Sequence, residues 1–150
     1  MLSVIVDAQG AEDRLAGLFA ALTPAAVEGL VREVLVAGAA KTELGAEAVE
    51  AICKDMGAEE VGDLPAAVAQ SKSDWVLVLP AAIRFRDGWV ERLRDHLAAG
   101  PADALVRGQR EGGLFAKRPA GVLTRRETAS GLAGLDALLR KLDRRARRLD

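Results

Sequence analysis

The chain has 150 residues, 50% of them hydrophobic, 29% charged and 3% aromatic, with a formal net charge of −1. That length predicts one domain with a core of its own, and that composition excludes a disordered chain. One cysteine, Cys53, and one histidine, His96, exclude an intrachain disulfide and a Cys/His zinc site, and fit a reducing, cytoplasmic setting.

Leu2 to Val6 reads as a buried strand, closed by Asp7-Ala8-Gln9-Gly10. Leu15, Leu18, Phe19 and Leu22 then fall on one face of a helix, with Glu12 and Asp13 in its first turn and Thr23-Pro24 as its stop. Val31 to Ala37 holds a second strand and Gly38-Ala39-Ala40-Lys41-Thr42 its loop. Leu44, Ala48, Ile52 and Met56 predict the next helix, which Gly57 is suited to close in a left-handed cap. Glu59 to Val61 is a short strand. Leu64 to Gln70 is a short helix with Asp63 as N-cap and Pro65 near its first turn.

Trp75 to Leu79 is an apolar run too short for a helix, stopped by Pro80, and reads as the central strand. Trp89, Leu93 and Leu97 mark a helix that ends at Gly100-Pro101. Asp103 to Val106, Gly112 to Ala116 and Gly121 to Leu123 are β-like. From residue 132 to 150, Leu132, Leu135, Leu139, Leu142, Ala146 and Leu149 follow a heptad spacing, which predicts an amphipathic basic helix. Residues 1–106 hold 9 Lys/Arg against 17 Asp/Glu, and residues 107–150 hold 12 against 5. A basic tail on an acidic body suits packing on that body, or a homodimer through 132–150. A membrane surface is disfavoured because the leucine seam has no aromatic anchor, and nucleic acid because no reader motif is present.

Alternating strands and helices predict a three-layer α/β/α domain with a mostly parallel sheet. Ligands then gather beyond the carboxyl ends of the strands. Asp7 is the one carboxylate expected there. Its commoner role is a turn residue. Arg84 and Arg86 follow the central strand and can face an anion, or stand as solvated charges beside Phe85. Trp75 and Trp89 read as packing residues rather than sugar platforms. No basic leader precedes the first strand, and no apolar run approaches the ~20 residues of a membrane span.

The order of these pieces resembles a family 2 glycosyltransferase of the GT-A nucleotide-sugar fold, in its short bacterial form. Ser3-Val4-Ile5-Val6 with Asp7-Ala8-Gln9-Gly10 is similar to the family's first strand and loop. Glu33 to Ala37 with Gly38-Ala39-Ala40-Lys41-Thr42-Glu43 is similar to its second. Asp74 to Phe85 is similar to the strand that delivers the Asp-x-Asp metal motif. Asp87-Gly88-Trp89 is similar to the helix start after it, and Gly121 to Glu127 to the acceptor-side strand and arginine pair.

The resemblance implies nucleotide-sugar contacts at Asp7, Gln9, Gly38, Pro80, Ala81, Ala82 and Arg84. The chemistry departs from the family pattern. Gly38 or Ala39 stands where a base-binding Asp is expected, and Pro80 and Ala82 where two metal-holding carboxylates are expected. Asp136 is the only acid between Gly131 and Leu142, where a Glu-Asp pair is expected. The family uses Mg or Mn to neutralise the departing diphosphate, so the expectation is a pseudoenzyme with no catalytic residue and no metal ligand. The two rivals are a metal-independent transferase using Arg84 or Arg86, and an interaction module using the leucine seam.

Overall fold

The computed structural model describes residues 1–39, 45–116 and 118–149. Ala40, Lys41, Thr42 and Glu43, expected as a loop, and Leu44, expected in the next helix, lie outside them. Among the described residues seven strands form one sheet: β1 (Leu2–Asp7), β2 (Val31–Ala37), β3 (Glu59–Val61), β4 (Trp75–Pro80), β5 (Ala104–Arg107), β6 (Ala120–Arg125) and β7 (Arg147–Leu149). Their order is β3-β2-β1-β4-β6-β5-β7. All run parallel except β6, which is antiparallel to both neighbours.

Helices cover both faces, which is why the central strands are near-continuously apolar. Val4, Val6, Leu77 and Leu79 pack on Leu15, Leu18, Phe19 and Leu22 of α1 (Leu15–Val27) and on Leu93 of α4 (Trp89–Ala98). Val49 and Cys53 of α2 (Gly45–Met56) belong to the same core. On the opposite face Ile5, Val76, Val78 and Val122 meet Leu64 and Val68 of α3 (Leu64–Gln70). Ala129 of α5 (Arg126–Ala129) and Leu135, Leu138 and Leu142 of α6 (Leu135–Leu142) complete that side. Asp63 caps α3 as its sequence position predicts, its Oδ1 accepting from the Ala66 amide at 2.8 Å.

Three expectations are corrected. Pro24 does not stop α1, because its fixed φ suits a helix and it forfeits only one amide near the end. The stop comes at Gly29, φ +77°, where the Gly29 and Leu30 amides donate to Ala26 and Ala25 carbonyls at 3.0 Å each. Gly112 to Ala116 forms a turn, not a strand.

The third correction concerns the tail. The helix expected over 132–150 ends at Leu142, and β7 follows as an edge strand on β5. A continuous helix would set like charges four residues apart at Arg140/Arg144, Lys141/Arg145 and Arg144/Arg148. Leu135, Leu138 and Leu142 are the buried residues of α6, and Leu132, Leu139 and Ala146 pack partly buried against the same core, so these leucines lie on the chain's own sheet.

Candidate functional site

The strand register brings the first part of the site together. Asp7 ends β1 opposite Ala37 of β2 and Pro80 of β4. Its carbonyl accepts from the Ala81 amide at 2.9 Å, and the Ala8 amide donates to Ala37 O at 2.8 Å. Asp7 Oδ1 accepts from the Gln9 amide at 3.2 Å, closing the turn after β1. Gly38, φ +73°, lies so close that a Cβ there would stand 3.2 Å from Asp7 Oδ1 and 3.5 Å from Gln9 Cβ. Asp7, Gln9, Gly38, Pro80 and Ala81 therefore meet at one rim. Asp7 fills the turn role, with one carboxylate oxygen committed to its own loop.

The second part was not legible in the sequence. Arg14, from the 3₁₀ turn Glu12–Arg14 ahead of α1, reaches across the rim. Its Nη2 donates to Glu111 Oε1 at 2.8 Å and to the Ala82 carbonyl at 3.3 Å, and its Nη1 to Glu111 Oε2 at 3.4 Å. Arg84 Nε lies 2.8 Å from the same Glu111 Oε1. One carboxylate thus ties two guanidiniums beside Ala82. The Arg14 hydrogen bond holds the Glu111 carboxyl below its usual range against the opposing effect of burial, and both arginine charges add to it. The same bond raises Arg14.

A cleft of about 700 Å³ opens between α1 and the segment after β4, lined by Arg14, Leu18, Ala81, Arg84, Phe85 and Trp89 among others. It takes in Ala81 and Arg84 but not Asp7, Gln9, Gly38, Pro80 or Ala82. Arg86 is exposed on its wall. Phe85 and Trp89 stack on each other with centroids 3.9 Å apart and planes 12° off parallel, so Trp89 is a packing residue. Trp75 is covered by Arg125, whose guanidinium carbon lies 5.4 Å from the ring centroid.

The arginine pair expected on the acceptor side is elsewhere. Because β6 runs antiparallel, Arg125 pairs with Trp75 at the start of β4, and Arg126 Nη1 donates to Ser71 O at 2.7 Å. Both sit at the end of the sheet away from the rim. Cys53 is buried in α2, where burial, with Glu60 adding, pushes its thiol up to about 11, out of reach of a nucleophilic role at neutral pH.

A divalent cation of the Mg or Mn type needs several oxygen donors around one point. The rim offers Asp7 Oδ1, turned to Gln9; the Ala82 carbonyl, turned to Arg14; and Glu111, between two arginines. A cation there would lie against guanidinium groups, so this donor set does not fit it. Among the described residues no group of three His, Cys, Asp or Glu is placed to hold a metal. The Arg14–Glu111–Arg84 cluster keeps free guanidinium donors and one net positive charge that an anion can meet, while Asp13, Glu28, Asp87 and Glu91 line the adjoining cleft.

No family model matches the chain, and no curated protein matches it in sequence. Solved structures do match. Glucosyl-3-phosphoglycerate synthase from Mycobacterium tuberculosis, in complex with Mn²⁺, uridine diphosphate and glucosyl-3-phosphoglycerate, superposes with a TM-score of 0.66 at 18% identity. The match covers 99% of this chain and 70% of that one. The same enzyme with phosphoglyceric acid gives the same values. A further mycobacterial protein gives 0.65 at 18% identity, covering 99% and 65%. The fold is GT-A. The likeness extends over almost the whole GT-A-like chain, which is the shorter partner in each comparison. Among its described residues no helix is long and apolar enough to cross a membrane.

Proposed function

We propose that this GT-A domain binds a nucleotide or nucleotide sugar at the rim and has lost cation-dependent sugar transfer. The observation that carries the reading is the Arg14–Glu111–Arg84 cluster beside Ala82. The resemblance puts a metal-holding carboxylate at Ala82, and two guanidiniums occupy that neighbourhood instead. A departing diphosphate gathers negative charge. Removing its electrostatic partner costs at least ~100-fold in rate, and removing the general base costs about as much again. Asp7, Gln9, Gly38, Pro80, Ala81, Ala82 and Arg84 are the positions assigned to ligand contact, with Arg14 joining them. The 150 residues act as one cytoplasmic domain in this reading.

Calorimetric titration with uridine diphosphate, guanosine diphosphate and UDP-glucose, with and without Mn²⁺, tests it. The expected result is binding that Mn²⁺ leaves unchanged, without sugar transfer. An affinity gain of about tenfold or more on adding Mn²⁺ overturns it. So does failure of every nucleotide to bind. A second reading draws on Arg84, 64% exposed and holding Glu111 through Nε at 2.8 Å. Its other nitrogens can meet a diphosphate, as a metal-independent transferase requires. Metal-free release of uridine diphosphate from UDP-glucose, abolished by Arg84→Ala, would favour it.

A further inference from the structure

At the β7 edge of the sheet, β5, the segment between β5 and β6, and α6 and β7 enclose a groove of about 730 Å³. Arg107, Arg110, Arg118, Arg140 and Arg148 wall it, with Asp143 the one acid among its described lining residues. Asp143 already lies 3.9 Å from Arg148 Nη2, and Arg118 Nε is buried without a hydrogen-bond partner. At the lip, Leu114 and Phe115 stand 83% and 95% exposed. One backbone and one side-chain bond shape that tip: the Ala116 amide donates to Gly113 O at 2.9 Å, and Arg110 Nη1 to Leu114 O at 3.1 Å. Arg144, Arg145 and Arg147, exposed on the following turn and strand, extend the positive surface.

The charge calls for a polyanion. The tip narrows the choice. A free phosphate and a duplex backbone, which guanidiniums hold alone, have no use for an exposed Leu-Phe pair, and a single strand is held by rows of stacking rings, whereas one ring stands here. An anionic bilayer takes both features at once: headgroup phosphates meet the guanidiniums while the apolar tip enters the acyl boundary. We propose that this face docks the domain on an anionic lipid surface, with Leu114 and Phe115 inserted and Arg118, Arg140 and Arg148 at headgroup level. The aromatic anchor missing from the C-terminal leucines is thus supplied by a different segment.

The test is sedimentation of the full chain with vesicles of phosphatidylcholine alone and with about one third phosphatidylglycerol. The chain is expected to sediment with the anionic vesicles only, and to be released by high salt. Leu114→Ser with Phe115→Ser should weaken partitioning on the order of tenfold. Arg140→Ala and Arg148→Ala should each weaken it about fivefold. All four side chains are partly or fully exposed, and unchanged melting curves confirm an intact fold. Phe115→Trp should show emission, after subtraction of the native chain's spectrum, that shifts to the blue with anionic vesicles. No sedimentation, no blue shift, or partitioning indifferent to the double serine variant overturns the proposal. Displacement from vesicles by a single-stranded oligonucleotide whose binding ignores the serine variant also overturns it, in favour of nucleic acid.

Discussion

Two groups of arginines flank one loop, and their counter-charge differs. At the rim, Arg14 and Arg84 share Glu111 at 2.8 Å each. In the groove, Arg110, Arg118, Arg140 and Arg148 have one acid among the described lining residues, Asp143, and that only 3.9 Å from Arg148. The segment between β5 and β6 serves both: Glu111 goes to the rim, and Leu114 and Phe115 go to the groove lip. A guanidinium tied to a carboxylate is held in place and keeps only its remaining donors for a ligand, while one facing a surplus of like charge leaves its whole field for a partner. The same residue type therefore organises one region and advertises the other.

The strongest way to break this contrast is to remove the wall of the groove. Leu138 is fully buried under α6. Leu138→Ala should cost about 2–5 kcal/mol, read from the urea midpoint, and with it the α6 wall that carries Arg140. Leu139, on the groove side, should cost about 1 kcal/mol or less as Leu139→Ala. The reverse order would place Leu139 in a coiled-coil seam and detach α6 from the sheet.

A smaller effect is expected at the joint between the two regions, the β4–β6 pairing. A Cβ at Gly121 would collide with Leu79 Cδ2 and lie 2.9 Å from Val78 O. Gly121→Ala should therefore lower stability by about 1–3 kcal/mol in a thermal melt. Gly113→Ala is the control, since nothing lies within 4 Å of a Cβ there. Equal effects at the two glycines would mean that β4 and β6 are not closely packed.

The contrast also marks what could be read from the sequence. Residues linked by period or by register were legible. Leu15, Leu18, Phe19 and Leu22 share a helical face, and the ends of parallel strands align, which brings Asp7, Pro80 and Ala81 to one rim. Residues joined only by the closed fold were not. Arg14 and Glu111 are 97 positions apart, and neither sits in a pattern that points to the other. Phe115 and Arg148 line one groove because β7 returns to the sheet edge, which the heptad spacing disguised. Leu138 is buried where the heptad spacing points to Leu139, one residue out of phase, because both complete an apolar row with Leu135 and Leu142.

The smallest expected effect separates the two arginine groups most directly. Glu111 titrates below its ordinary value of 4.5 in the folded chain, held there first by its hydrogen bond from Arg14. A carboxylate with a depressed folded value contributes stability that is complete above the unfolded value and is lost as pH falls through the folded one. The stability difference between the native chain and Glu111→Gln should be level from about pH 7 down to the unfolded value, then shrink toward zero below it. Both partners are about one-third exposed, at 30% and 35%, so solvent screening keeps the difference small. At neutral pH, Glu111→Gln also frees the charge of Arg14 and Arg84. Uridine diphosphate should then bind a few-fold more tightly, while partitioning onto anionic vesicles stays where it was. If vesicle binding rose by as much as nucleotide binding, the rim and the groove would be a single basic surface, and the separate roles assigned to them would merge.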